Sequence, residues 1–380
     1  MKQSFNASNG LLGLRLAAVN FLVNFSIEAS VIFLPLYASD MGASNLEVGF
    51  IAAGYGTAFF LSSFFFGRQS DMRGRVAFIR AGLGLSAVAY LLQVFASSPM
   101  LLLLSRAIVG FCLGACSSAL MAYVYEAEGR VGRFSSYGSL GWLFGAVVAG
   151  ILRDYQALFV ASAAASAVAF GLSLTLKEQG VGRIRVAAFP TAVIRANVKV
   201  YLPFFLRQLG AQAVWAIFPI FLAGIGASKA WIAVLSGINM AGQFVAMRFV
   251  DRFNGAVMLK VGLVASALVF AAYGMSSHYL QLLPVQALLS VAWSCLFVGA
   301  MTYLLGENVE RGTAAGLLYS TTYLSTGLGP FLGGAVSQLW GFGALMYTSS
   351  ALAIAGLLSS RGLQAPSRPP VTPPLPGPGE

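Results

Sequence analysis

Asn20, Asn24 and Glu28 recur at every fourth position of an otherwise apolar run, so a helix would carry all three on one face. Glu28 can take up and release a proton, and the two amides can hydrogen-bond a solute. Two isolated arginines, Arg106 and Arg207, stand in equally apolar surroundings. Burial raises a carboxyl pKa and a nearby guanidinium lowers it, so a Glu–Arg pair whose separation changes can alternate between holding and releasing a proton. Arg207 has two open readings: it attracts an anionic or polar group of a solute, or it pairs with a carbonyl or snorkels to the membrane edge. Gln208 and Gln212 are four apart, as are Asn239 and Gln243 and the pair Tyr319 and Tyr323. These are the expected lining of a binding cavity.

Other chemistries lack their residues. His278 is the only histidine, and Cys112, Cys116 and Cys295 fall inside apolar runs, where they read as packing residues. No metal or cofactor is expected. There is no HExxH, GxSxG or Walker loop and no pair of deep carboxylates, so an enzyme and an ATP-driven pump are both excluded within this chain. A receptor on the same scaffold would reveal itself by binding without flux.

The elements that must position these residues are membrane helices. Of 380 residues 58% are hydrophobic and only 9% charged, too few charges to clothe a water-facing surface. Apolar runs of about 20 residues, the length that crosses a bilayer, occur at 11–38, 46–66, 76–96, 99–122, 134–152, 156–176, 199–223, 230–250, 256–276, 280–304, 313–338 and 342–360. The first carries Arg15 and Glu28 and no small-residue cleavage site follows it, so it reads as a span and not a signal peptide. With the N-terminus inside, Arg153 and Lys229 alone fall in outer loops. Arg15, Arg106 and Arg207 lie within spans, and the remainder of the 23 basic residues fall in inner loops. Both termini are therefore expected in the cytoplasm of a cell whose inner (plasma) membrane holds the protein. The net charge of +11 reads as topology and attraction to anionic lipid, not as a nucleic-acid face.

The chain repeats itself. Met41-Gly-Ala-Ser44 matches Ile225-Gly-Ala-Ser228, aligning Pro35 with Pro219. Arg68-Gln-Ser-Asp71 matches Arg248-Phe-Val-Asp251, and Gly145–Gly150 matches Gly329–Gly334. Six spans per half keep both repeats in one orientation. The expected organisation is an all-α membrane protein of about twelve helices in two six-helix pseudo-symmetric bundles around a central cavity. Residues 1–176 form one bundle, 177–198 a cytoplasmic connection, 199–362 the second bundle, and 363–380 a disordered proline-rich tail.

These motifs resemble the major facilitator superfamily. Gly67-Arg-Gln-Ser-Asp71-Met-Arg73-Gly74-Arg75 is similar to its GxxxD(R/K)xGR(R/K) loop between spans two and three, departing at Met72 and Val76. Arg106-Ala-Ile-Val-Gly110 with Gly114-Ala115 resembles the fourth-span arginine motif. Gly141–Gly150 is similar to the fifth-span GxxxGPxxGG motif of the antiporters, with Ala146 for the proline and Ala149 for a glycine. The resemblance implies a cytoplasmic latch that stabilises an outward-facing state, built on Gly67, Asp71, Arg73, Gly74 and Arg75, with Asp251 as the repeat's second copy. It also implies that spans one and four line the cavity. Glu28 lies roughly 13 Å from the outer end of span one and Arg106 roughly 10 Å from that of span four at 1.5 Å per residue, so the two are expected to pair.

The second half answers Glu28 with Gln212, Asn24 with Gln208 and Arg106 with Gln286. One deep carboxylate, the fourth-span arginine and the fifth-span glycines resemble the drug:proton antiporter branch, which implies alternating access with protons exchanged for small amphipathic compounds. The amides suit the alternative, a proton symporter or uniporter importing a sugar, organic acid or similar metabolite. The expected partners are a small-molecule substrate, protons and the bilayer, with the chain acting as a monomer.

Overall fold

The computed structural model describes residues 2–43, 45–178 and 189–363. The proline-rich stretch from Gln364 and residues 179–188 of the connection at 177–198 lie outside the described residues.

The described chain is helical throughout: α1 (Lys2–Val31), α2 (Leu34–Asp40), α3 (Asn45–Arg73), α4 (Val76–Val94), α5 (Pro99–Glu128), α6 (Val131–Leu152), α7 (Tyr155–Ser173), α8 (Thr191–Ala196), α9 (Val198–Trp215), α10 (Phe218–Gly224), α11 (Lys229–Val250), α12 (Gly255–Met275), α13 (Leu282–Glu307) and α14 (Arg311–Ser359). They make twelve spans. α1 with α2 forms one, and α9 with α10 another. α14 supplies the last two, which meet where the backbone turns at Gly341. The short α8 lies in the connection between the halves, where a loop was expected.

The first and seventh spans are each interrupted, although the sequence reads as unbroken there. α1 stops at Val31 and α9 at Trp215, and new helices begin at Leu34 and Phe218. Positions 35 and 219 are prolines, which offer no N–H to the preceding turn. Both breaks are followed by a glycine in the left-handed region, Gly42 (φ 84°) and Gly226 (φ 87°), a conformation that costs glycine nothing. The Met41–Ser44 and Ile225–Ser228 match thus has a backbone reason. The second span runs further than its apolar stretch: α3 continues to Arg73, so most of the expected loop motif is the last turns of a helix. Those turns pack on α14, and that partner, not lipid, replaces hydrophobicity as the reason to stay helical.

Packing repeats between the halves. α1 lies on α6 and α7 while α5 lies on α3 and α4; correspondingly α9 lies on α14, and α13 on α11 and α12. The halves meet along α3 with α14 and α6 with α11. Small residues let the backbones approach, the main device for helix association in lipid. A methyl group added at Gly145 would come within 2.8 Å of Glu28 Cβ, and one at Gly329 within 2.5 Å of Gln212 Cβ. Glu28 and Gln212 therefore occupy equivalent packing positions, α1 on α6 and α9 on α14.

Candidate functional site

One end of the bundle, where α3, α5, α11 and α13 finish and α6 and α14 begin, carries most of the arginines. Here the halves are bolted together twice. Asp71 ends α3 and accepts from the first turn of α14: Gly312 N–H to Oδ1 (2.8 Å), and Thr313 N–H (2.7 Å) and hydroxyl (2.6 Å) to Oδ2. Asp251, just past α11, accepts Gly132 N–H on Oδ1 (2.6 Å) and Arg133 N–H on Oδ2 (2.8 Å) from the first turn of α6. Each carboxylate thus satisfies orphan donors, and meets the positive dipole end, of a helix in the other half. Burial pushes the Asp251 carboxyl above its ordinary value, against the pull of those two N–H groups and of Arg130.

The Asp71 bolt is reinforced. Arg75 Nη1 donates to Asp71 (2.9 Å) and its Nε and Nη2 to Glu126 (2.7 and 2.6 Å), a bidentate fork. Arg311 reaches Glu126 at 3.5 Å. Gly74 takes φ 102°, and beside it Glu178 accepts from the N–H groups of Arg75 (2.6 Å) and Val76 (3.1 Å). A methyl group at Gly67 would come within 2.5 Å of the Gly312 carbonyl, so this contact is glycine on glycine. Arg73 is exposed and stands outside the cluster. Glu126, Glu178, Thr313 and Gly132 are absent from the sequence reading, which gives Arg311 only as an inner-loop charge. Their signal was the repeat, since an Asp71–α14 contact demands an Asp251–α6 contact by the same symmetry.

Above this closed end lie two adjoining cavities, of about 170 and 280 Å³. The first receives Asn20, Asn24, Tyr319, Tyr323 and Gln243 together with Phe59 and Phe134. The second receives Arg207, Gln208, Gln212, Asn239, Gln243 and Gln286 with Trp215 and Phe218. Trp142, Gln243 and Trp293 line both. The amides are tied to one another: Asn24 donates to Asn20 Oδ1 (2.9 Å), and Gln243 donates to Asn239 (3.0 Å) and accepts from Ser139 (3.2 Å). Tyr323 stacks on Phe59 with centroids 3.7 Å apart and meets Tyr55 edge-on at 6.0 Å.

Glu28 and Arg106 are not brought together. Glu28 shares the face of Asn20 and Asn24, which all look toward the glycines of α6, and it has no hydrogen bond or ion pair with the described residues. Arg106 meets another face of α1. Its Nη1 donates to Ser30 (3.0 Å), and its guanidinium lies over the Tyr55 ring at 4.6 Å. Equal depth is a necessary condition for pairing, but residues 28 and 30 point about 200° apart around a helix, so depth alone misplaced the partner. Glu28 also stands outside the residues lining the two cavities.

Arg207 is buried and held on three sides. Its Nε donates to Ser266 (2.8 Å), its Nη1 to Gln208 (2.9 Å), and its guanidinium sits between the rings of Phe270 (5.6 Å) and Trp293 (5.5 Å). Its Nη2 has no partner. Neither a backbone carbonyl nor the membrane edge receives it.

The profile of the Major Facilitator Superfamily matches residues 16–226 and 200–379. Among similar proteins, the multidrug resistance protein MdtG of Proteus mirabilis (strain HI4320) is 24% identical over 373 residues, 90% of this chain and 92% of the relative. MdtG of Klebsiella pneumoniae (strain 342) is 26% identical over 388 residues, 91% and 92% of the two chains. The human organic anion transporter MFSD10 (TETRAN) superposes with a TM-score of 0.78 at 16% identity, covering 93% of this chain and 99% of its own. The proton:xylose symporter XylE does so at 0.70 and 14%, covering 91% and 94%. These two likenesses describe the fold. With both of its halves matched, the chain belongs to the Major Facilitator Superfamily.

Proposed function

We propose that this chain is a secondary transporter that expels small amphipathic compounds in exchange for protons, by alternating access. The observation that carries the reading is the pair of reciprocal carboxylate bolts. They close one end of an internal cavity through bonds that must all break for the other state to form. Arginine-rich loops at that end mark it as cytoplasmic in an inner (plasma) membrane, with both termini inside and the state described facing outward. The MdtG relatives, named for multidrug resistance and matched over nearly their whole length, support efflux.

Glu28 carries the proton in this reading. A carboxyl inside the membrane with no fixed partner is free to change protonation, whereas a carboxylate locked in an ion pair is not. Arg106 acts from the far side of α1, through its field and by tying α1 to α3 through Ser30 and Tyr55. The domain limits at 176 and 199 define the two rocking bodies, and one chain makes the complete cavity.

The amides favour a second reading. Asn20, Asn24, Gln208, Gln212, Asn239 and Gln243 all reach the cavities and would suit a hydroxyl-rich metabolite taken up with protons.

Purified protein in liposomes with an internal pH dye separates the two. An efflux substrate should move protons opposite to its own direction of travel and a symport substrate in the same direction. Glu28→Gln should abolish the proton movement while leaving downhill exchange of labelled substrate. Proton movement that persists undiminished in folded Glu28→Gln protein would overturn the role given to Glu28.

A further inference from the structure

We propose that the larger cavity is a site for organic anions, and that the transported solutes carry a carboxylate or sulfonate head on an apolar body. The proposal rests on the transport reading above in taking this cavity as the solute's place.

Charge is the first observation. Arg207 is the one charged side chain among the described residues lining either cavity; no Asp or Glu lines them. It is only 2% exposed, and no carboxylate among the described residues pairs with it. Uncompensated charge buried at this depth is costly. An incoming anion removes that cost, whereas an incoming cation adds to it.

Geometry is the second. A guanidinium presents five N–H donors in a planar fork. Ser266 and Gln208 take Nε and one Nη1 donor, which fixes the plane, and Phe270 and Trp293 hold it from the sides. Besides the second Nη1 hydrogen, what remains is Nη2, buried and unpartnered. An unsatisfied buried donor pre-set in orientation is what a carboxylate or sulfonate oxygen needs. Around it, Trp215, Phe218 and Trp142 supply an apolar wall for the solute's body, and the amide of Gln212 can serve a second oxygen of the head.

The position has no copy in the first half. Under the alignment that pairs Gln208 with Asn24, Arg207 falls opposite Val23, and the neighbouring cavity is lined by neutral groups. The anionic head therefore lies in the second half and the apolar body extends past Trp293 toward Phe59 and Tyr323. One consequence concerns charge movement. Expelling a monoanion against one entering proton carries the equivalent of two positive charges inward per cycle, whereas a monocation would make the same exchange electroneutral.

The test uses three probes with one body: 4-ethylbenzenesulfonate, (4-ethylphenyl)trimethylammonium and 4-ethylbenzyl alcohol, titrated calorimetrically into the full-length protein in detergent. Wild type should bind the sulfonate about 10–100-fold more tightly than the ammonium, the worth of one charge-assisted hydrogen bond. Arg207→Gln should shrink that preference to within a few-fold. Arg207→Lys should keep part of it. Tightest binding of the ammonium by wild type would overturn the proposal, and this comparison stands even if neither variant folds. An Arg207→Gln protein that is folded and keeps the full preference would overturn it equally. Liposome flux keeps the two readings apart. Sulfonate binding without flux would remove the transport reading and leave the anion site, while flux of the ammonium alone would leave transport and remove the anion site.

Discussion

The two halves share a scaffold and differ in what it carries. Glu28 against Gly145 and Gln212 against Gly329 fill equivalent packing positions, one ionisable and the other an amide. The buried arginines are displaced from each other: Arg106 sits on α5 beside a tyrosine and a serine, and Arg207 on α9 inside a cavity wall. Backbone contact thus tolerates an exchange of acid for amide, and the proposed division of labour between proton and solute would rest on side chains alone. The bolts at the closed end repeat this contrast. Asp71 has three donors from α14 plus the Arg75–Glu126–Arg311 cluster, while Asp251 has two donors from α6 and no such cluster.

The largest effect should come from breaking the backbone contact at a bolt. In the first bolt the chains touch through Gly67 and Gly312; in the second, Gly132 lies against the Met247 carbonyl and the Asp251 carboxylate. Gly67→Val places a branched side chain where even a methyl group is 2.5 Å from a carbonyl oxygen, so the two ends cannot close. Spin-label distances across this end should lengthen by several ångströms, and exchange should fall by about 100-fold or more, the equivalent of about 3 kcal/mol. Gly132→Val should do the same if the bolts act together. Normal closure in Gly132→Val would mean that the first bolt alone holds the end shut.

The next effect is electrostatic and should be unequal. Asp71→Asn removes the charge facing three donors and leaves Arg75 with Glu126 only, so the closed state should lose about 10–100-fold in population. Asp251→Asn should change the closed fraction far less, because burial already opposes the charge at that site, fewer bonds are removed and no arginine is stranded. Both are read as the fraction of closed distances in the same spin-label experiment. Equal losses would dissolve the contrast between the bolts.

Much of this architecture was legible in the sequence, and the misses have physical causes. Spans, repeat and family motifs follow from hydropathy and residue spacing, which are local quantities. The breaks after Val31 and Trp215 were legible too, in Pro35 and Pro219, but the apolar runs continue across them and hydropathy does not register a missing N–H. The Asn20–Asn24–Glu28 face follows from periodicity. Its neighbour does not, because which helix stands opposite a face is decided by the whole bundle, and so Glu28 was matched to Arg106 by depth while it packs on α6. Glu126 escaped notice because one acid at a span end looks like any other until Arg75 and Arg311 converge on it.

The smallest effect concerns pH at the weaker bolt. Burial in the closed end holds the Asp251 carboxyl above its ordinary value, with Arg130 the charged neighbour that pulls it back. When the end opens, water returns and the carboxyl falls toward the ordinary carboxylate range. The closed state therefore binds this proton more tightly than the open one. Its advantage grows as pH falls through the raised, closed-state value and levels off below the open-state value, the opposite sign to a carboxylate whose pKa is depressed by its partners. The closed fraction should rise with acidification by a factor of a few, and Asp251→Asn should flatten that part of the pH profile while leaving the part that the proposed function gives to Glu28. An unchanged slope in Asp251→Asn would assign the whole pH response to the first half, making the second bolt a purely mechanical copy.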